Sequence, residues 1–425
     1  MTHTLTACVA AARIRAGELT SESLVGACLA RIAAREAEVG AWQYLDADKA
    51  REQARAADRS AARGPLHGVP IGVKDIMDTD DMPTTLGSPI YAKRQPQWDA
   101  ACVAAARAAG AIVLGKTVST EFAYFQPGKT RNPHHLLHTP GGSSSGSAAA
   151  VADCMVPLAF GSQTAASVIR PAAFCGVLGY KASHGEFSLS GIRPFAESLD
   201  SLGMLARSVE DLALLRAVLL GKPATALAAL RVPPKLGLCR TGQWVLADAH
   251  TQAAVEAFAT RCRQAGAVVS EIDLPEHFST LVDAHKTIMA YEAAHNYIYE
   301  TTRWAVQLSE AFLSLTETGR LVDQAAYRDA QRKIAFSGQQ LRSIAGHLDA
   351  LITPAARGDA PLATSGTGDP VMCRMWTALH LPALSVPFAK GAHGLPLAVQ
   401  LIAAVGADDL LLQVGHWVNT YVPTT

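Results

Sequence analysis

A chain of 425 residues with 49% apolar side chains can bury a substantial core, as one large α/β domain or as two ordinary ones. Its 37 Lys and Arg balance 37 Asp and Glu, and no basic run interleaves with aromatics, so charge gives no reason to expect DNA, RNA or an acidic membrane as a partner. The eight cysteines lack any CxxC spacing that would suggest zinc or a redox couple; with an N-terminus unlike a secretory signal and apolar runs broken before about 18 residues, they predict a cytoplasmic protein.

Leu24, Cys28, Leu29 and Ile32 recur at three- and four-residue spacing and predict an amphipathic helix over 21–36, with Glu22 at the end that the helix dipole favours. Asp99 is a plausible N-cap for a helix through DAACVAAARAAG, Gly110 its stop, and AIVLG the short buried strand that follows. The phrase recurs: KLGLC as a strand, 249–265 as a helix with Val255, Phe258 and Cys262 inward, Gly266 as a stop, AVVSEIDL as the next strand. Residues 280–348 read mostly helical, and DALITP, PALSVPF and LPLAVQLI as further strands. Such alternation predicts helices on both faces of a largely parallel sheet. The Pro- and Ala-rich turn near 221–235 is the best internal boundary, yet it is short, and one domain is favoured.

HTPGGSSSGSAAAV, residues 138–151, places four serines and three glycines before an alanine run. A phosphate cradle needs a lysine directly after the glycine loop, where Gly146 is followed by Ser147 and alanines. A nucleophile elbow fits Gly142 to Gly146 with Ser144 at its centre, but an elbow follows a strand, and NPHHLLHTP carries a proline at each end. In a third reading one of these serines only relays protons. GSQTAASVIRPAAFCGVLGYK, 161–181, then offers Ser167 as a candidate nucleophile, after a small-residue turn whose N–H groups can approach an oxyanion. A serine hydroxyl needs a base, and no His and Asp pair stands at a recognisable spacing. A lysine can substitute if burial lowers its pKa to roughly 7 or 8. Lys74, which closes the apolar strand GVPIGVKD, qualifies.

In order, GVPIGVKD, GKT, EFA, RNP, PGGSSSGSAAAV and SVIRPAAFCGVLGYK resemble the amidase signature family over about residues 64–215, and DALITPAA and GLPLAVQLIA resume the likeness. The resemblance implies an α/β fold with a large mixed, mostly parallel β-sheet covered by helices on both faces. It also implies a single domain over 1–425, with an N-terminal helical region to about 60, a core over about 64–215 and a more variable half over about 235–425. Its chemistry would be cleavage of small linear carboxamides to acid and ammonia by a Ser-cisSer-Lys triad through an acyl-enzyme. Lys74 would be the base, Ser143 the bridging serine beside a cis peptide, Ser167 the nucleophile and Ser144 a supporting hydroxyl. Backbone amides of Thr164, Ala165, Ala166 and Ser167 would hold the oxyanion. Neither metal nor organic cofactor is required, the expected partner is a small amide, and a homodimer through the N-terminal helices is a family-based expectation.

The chain departs from the family pattern GTDTGGSIR. Gln163 stands where the family has Asp, Arg170 lies three residues after Ser167, and Ala165 and Ala166 replace glycines in a turn that would demand positive φ, at a cost on the order of 1 kcal/mol. The redirected Arg170 suits a bidentate grip on a substrate carboxylate, and leaves Gln163 a neutral stand-in for the acid. Around GSQ, SVIRPAA and TGDP the chain resembles the malonamidase branch, whose members act on small carboxylate-bearing amides. Two rivals stand beside this reading: an amidotransferase A-type subunit supplying ammonia to a charged tRNA through partner chains, and a non-catalytic member whose oxyanion hole the two alanines spoil.

Each residue also has a structural reading. Lys74 and Asp75 could form a surface ion pair, Ser143 and Ser144 could cap a helix, and Arg170 could pair with an acid to hold its loop. Ser162 and Thr164 read as loop hydroxyls. His134, His135 and His138 lie on a proline-bounded loop with no carboxylate or cysteine set, so no metal site is expected. Met375 and Trp376 read as helix packing.

Overall fold

The computed structural model describes residues 1–422. Eleven strands form one sheet: β1 (Trp42–Leu45), β2 (Pro70–Lys74), β3 (Ile112–Thr117), β4 (Leu158–Gln163), β5 (Leu178–Lys181), β6 (Ser201–Ala206), β7 (Lys235–Cys239), β8 (Val268–Ile272), β9 (Ala350–Pro354), β10 (Ala383–Lys390) and β11 (Pro396–Ile402). Their spatial order is β1-β3-β2-β4-β6-β5-β10-β11-β9-β7-β8. The expected strands at 235, 268, 350, 383 and 396 are all present, and helices fill 281–296, 298–303, 310–321 and 324–345.

The sheet is mixed, as expected, but it is not mostly parallel. Parallel pairing is confined to β3-β2-β4 and β9-β7-β8; the other six adjacencies are antiparallel. The reason lies in the connections. A parallel neighbour needs a crossover, supplied by the helix Ala101–Ala108 between β2 and β3 and by Ala249–Gln264 between β7 and β8. No helix lies between β5 and β6, and β10 returns into β11 over a short turn, so both pairs run antiparallel.

Helices cover both faces. Along β6, Leu202, Met204 and Ala206 join one buried cluster while Leu205 joins the other, the alternation that a strand imposes. The expected N-terminal helix runs Ser21–Val39, with Leu24, Cys28, Leu29 and Ile32 buried. Asp99 is not the cap of the next helix: Ala100 takes that place, and the Asp99 carboxylate accepts from Asp80 N at 3.0 Å and pairs with Arg107 at 3.1 Å. Gly110 does stop that helix, at φ +91°, where a Cβ would lie 2.7 Å from His67 Cα. Met375 and Trp376 are buried in the helix Val371–Ala378, as expected. Among the described residues no helix is long and apolar enough to cross a membrane.

Candidate active site

β2 is buried along its whole length between β3 and β4, and Lys74, its last residue, is carried into the interior with 0% exposure. Its Nζ donates to Ser143 Oγ at 2.6 Å and to Ser162 Oγ at 2.9 Å. The surface ion pair with Asp75 does not exist. Asp75 turns to Lys116 at 3.4 Å, both groups fully buried, and accepts from Thr85 N. Burial therefore lowers the Lys74 pKa to about 7, opposed only by the charge of Asp200.

Ser143 follows a cis peptide from Gly142 and is 2% exposed. Gly141, at φ +81°, brings this backbone against Pro171, where a Cβ would lie 2.8 Å from Pro171 Cα. Neither Ser143 nor Ser144 caps the helix Ser145–Ala152 through its side chain. Ser144 instead braces two segments: its N–H donates to Ser167 O at 3.2 Å, and its Oγ accepts from Ser162 N at 3.3 Å.

Ser167 stands in the turn between β4 and the helix Ile169–Cys175, 8% exposed, and lines a cavity with Ser143, Thr164, Ala165, Ala166 and Arg170. The structure brings Lys74 and Ser143 into hydrogen-bonding contact and puts Ser143 and Ser167 on one cavity wall. No hydrogen bond joins the two serine hydroxyls; enzymes without bound substrate often hold such catalytic links long.

Ala165 and Ala166 are not strained, contrary to expectation: neither has positive φ. Side-chain bonds hold the turn. Gln163 Oε1 accepts from Val168 N at 2.9 Å and Ile169 N at 3.0 Å, its Nε2 donates to Thr377 Oγ1 at 3.0 Å, and Thr377 Oγ1 donates to Ala165 O at 2.8 Å. Gln163 thus satisfies the first N–H groups of the following helix, a task that a neutral amide oxygen performs. Ser162 and Thr164 are more than loop hydroxyls. Ser162 is a partner of Lys74, and Thr164 donates through Oγ1 to Asp200, whose carboxylate also accepts from Phe195 N at 2.7 Å and Ala196 N at 3.1 Å. Burial raises the Asp200 pKa to about 7.

Arg170 is buried, and among the described residues no carboxylate reaches it, which removes the structural ion pair. Its Nη1 donates to Gly368 O, and its Nη2 to Gly142 O at 2.7 Å and Thr367 Oγ1 at 3.2 Å, while Nε has no partner. Desolvation lowers its pKa to about 10. His134 and His138 hold the preceding loop through bonds to Cys175 O at 2.9 Å and Ala360 O at 2.6 Å. Among the described residues the acids Asp80, Asp81 and Asp99 lie close enough to share an ion, and Lys49 and Arg107 already pair with Asp81 and Asp99, away from this cavity.

Sequence reasoning missed Asp200, His285 and Arg374. No motif marks them; each comes from an element that only the folded sheet brings to the turn. Buried His285 has its pKa lowered to about 3, so it is neutral; its Nε2 meets Thr164 O at 2.8 Å, and its Nδ1 meets Arg374 Nη1 at 2.9 Å. The cavity over Ser167 is small, about 30 Å³ against about 270 Å³ for its neighbour beside Asp200, and Tyr124, Phe125, Phe195, Met289 and Arg374 also line its wall.

A buried lysine bonded to one serine, a second serine beside it and a turn of backbone N–H groups, set in an α/β fold, define an amide hydrolase. The Amidase family model matches residues 23–412, and the chain belongs to the amidase signature family. It is 34% identical to the A-type subunit of the glutamyl-tRNA(Gln) amidotransferase of Roseiflexus castenholzii, over 97% of this chain and 95% of that one. An amidase crystal structure superposes with a TM-score of 0.90 at 29% identity, covering 98% of this chain and 99% of the other. The native peptide amidase of Stenotrophomonas maltophilia gives 0.84 at 28% identity, over 99% and 98%.

Proposed function

We propose that this enzyme hydrolyses small linear carboxamides, foremost those bearing a carboxylate, to the acid and ammonia. One observation carries the reading: Lys74 is fully buried, has no carboxylate partner among the described residues and donates to Ser143 Oγ at 2.6 Å. As a neutral amine it accepts the Ser143 proton while Ser143 takes that of Ser167, and Ser167 Oγ bonds to the amide carbon. The N–H groups of Thr164, Ala165, Ala166 and Ser167 receive the oxyanion, and Ser144 and Gln163 keep that turn in place. The proton held on Lys74 returns through Ser143 to the leaving nitrogen, the C–N bond breaks, and ammonia departs. Water enters by the same relay and frees the acid, with no cofactor in the scheme.

The carboxylate preference rests on the guanidiniums of Arg170 and Arg374 on the cavity wall, with no acid beside either among the described residues, and on the malonamidase-like stretches GSQ, SVIRPAA and TGDP. A second reading, an amidotransferase A-type subunit, is favoured by the similarity to such subunits. The non-catalytic reading loses its ground where the alanines carry no positive φ. Ammonia release from mono-amides of dicarboxylic acids, neutral aliphatic amides and aromatic amides tests the proposal. Fastest turnover is expected on the first group, abolished in Ser167→Ala. Turnover only with partner subunits and charged tRNA would overturn it in favour of the second reading.

A further inference from the structure

Two guanidiniums, Arg170 and Arg374, line the cavity that holds Ser167, and among the described residues no carboxylate lies within ion-pair distance of either. They differ in what their N–H groups already do. Both Nη atoms of Arg170 donate to oxygens fixed in the protein, and its Nε is sealed from water. Arg374 donates from Nη1 alone, to His285 Nδ1 at 2.9 Å, with Met289 Sδ at 3.8 Å. Its Nε and Nη2 have no acceptor among the described residues, and neither is among the sealed, unpartnered atoms of the interior. Nε and Nη2 form the side edge of the guanidinium, a planar pair of donors that matches the two oxygens of a carboxylate.

The mounting is specific. Arg374 lies in the helix Val371–Ala378, with Cys373, Met375 and Trp376 buried around it, and is itself 6% exposed. His285, from the helix Leu281–Asn296, is neutral, and its bonds fix the tautomer: Nε2–H donates to Thr164 O, which leaves Nδ1 to accept from Arg374. One imidazole thus ties the guanidinium to the first residue of the oxyanion turn. A cation desolvated in this way, with its edge unpaired, is costly until an anion completes it.

We infer that Arg374 is the residue that grips the substrate carboxylate, side-on through Nε and Nη2, and sets its distance from Ser167, while Arg170 shapes the wall and adds charge. The inference rests on the carboxylate-bearing reading and deepens it. It selects short mono-amides of dicarboxylic acids, because Ser167 and Arg374 line one cavity.

The test compares kcat/KM for malonamic and succinamic acids with kcat/KM for propionamide and butyramide, in the parent enzyme, Arg374→Gln and Arg374→Lys. A misfolded fraction scales both numbers alike and cancels from the ratio. The parent is expected to favour the acids, Arg374→Gln to lose at least about 30-fold of that ratio, and Arg374→Lys to fall between. Calorimetric titration with malonate provides a readout without turnover, and its affinity is expected to fall by a similar factor in Arg374→Gln. A parent enzyme without preference overturns the carboxylate reading itself. A clear parental preference with ratio and malonate affinity unchanged in both variants overturns the role of Arg374 alone.

Discussion

At Lys74, burial removes the water that would hold an ammonium, and the charge of Asp200 offsets this only in part, so the pKa falls to about 7. A base must be unprotonated, so kcat/KM is expected to rise with pH to a midpoint near 7 and then level; a flat profile from pH 5 to 9 would contradict this. The same shift makes Lys74 a stability liability. Between pH 7 and about 10.5 the unfolded chain binds a proton that the folded chain does not. The penalty is absent above that window, grows as pH falls through it and is complete below about 7. Lys74→Met is therefore expected to abolish turnover yet raise the thermal midpoint at pH 7 by a few degrees, as calorimetry can measure; a lower midpoint would count against a neutral buried amine. Lys74 was legible because a lysine that closes an apolar strand gains little from that place except a lowered pKa. Ser162 was not, since a serine within a strand gives no sign of what its face meets.

The element that presents the nucleophile is the turn from β4 into Ile169–Cys175, and its shape is held by side chains from elsewhere. Gln163 bonds two N–H groups at the start of that helix and reaches Thr377 on the helix Val371–Ala378. Gln163→Ala is expected to cost about 2–3 kcal/mol in urea unfolding, because it orphans two buried N–H groups and removes one of the two bonds of Thr377, and to lower kcat more than it raises KM; a loss below about 0.5 kcal/mol would show that the turn holds itself. Strain at Ala165 and Ala166 was expected because glycine at those positions suggests positive φ, and periodicity carries no φ for an irregular turn. Asp99 looked like a cap for a related reason: an acid before an alanine-rich helix is ambiguous when Asp80 N from another segment and Arg107 at the helix's far end compete for its carboxylate.

Across the whole molecule the sheet joins the two halves of the chain where β5 pairs with β10, and the helix Val371–Ala378 lays Arg374 and Thr377 against a turn some two hundred residues earlier. We propose on this basis that residues 1–425 unfold as one unit. Asp408 is the natural probe: its carboxylate accepts from Tyr180 Oη, from Ser183 N at 2.9 Å and from Ser183 Oγ at 2.6 Å, tying the final helix to the end of β5. Asp408→Ala is expected to lower stability by about 2–4 kcal/mol while leaving a single calorimetric transition; two separated transitions would divide the chain into independent domains. The motif-rich core over 64–215 was legible because close backbone packing leaves so few residues to choose from. The sheet's antiparallel majority was not, since helix-strand alternation reports the order of elements but not the direction in which each returns.

Whether an uncharged Lys74 activates Ser167 through Ser143 can be read from labelling with a fluorophosphonate, the adduct being mapped by mass spectrometry. A single adduct on Ser167 is predicted, forming at a rate that climbs to a midpoint near pH 7 and falls at least about 1,000-fold in Lys74→Met and Ser143→Ala. An adduct on Ser144, or labelling of Ser167 that proceeds unchanged without Lys74, would refute the relay.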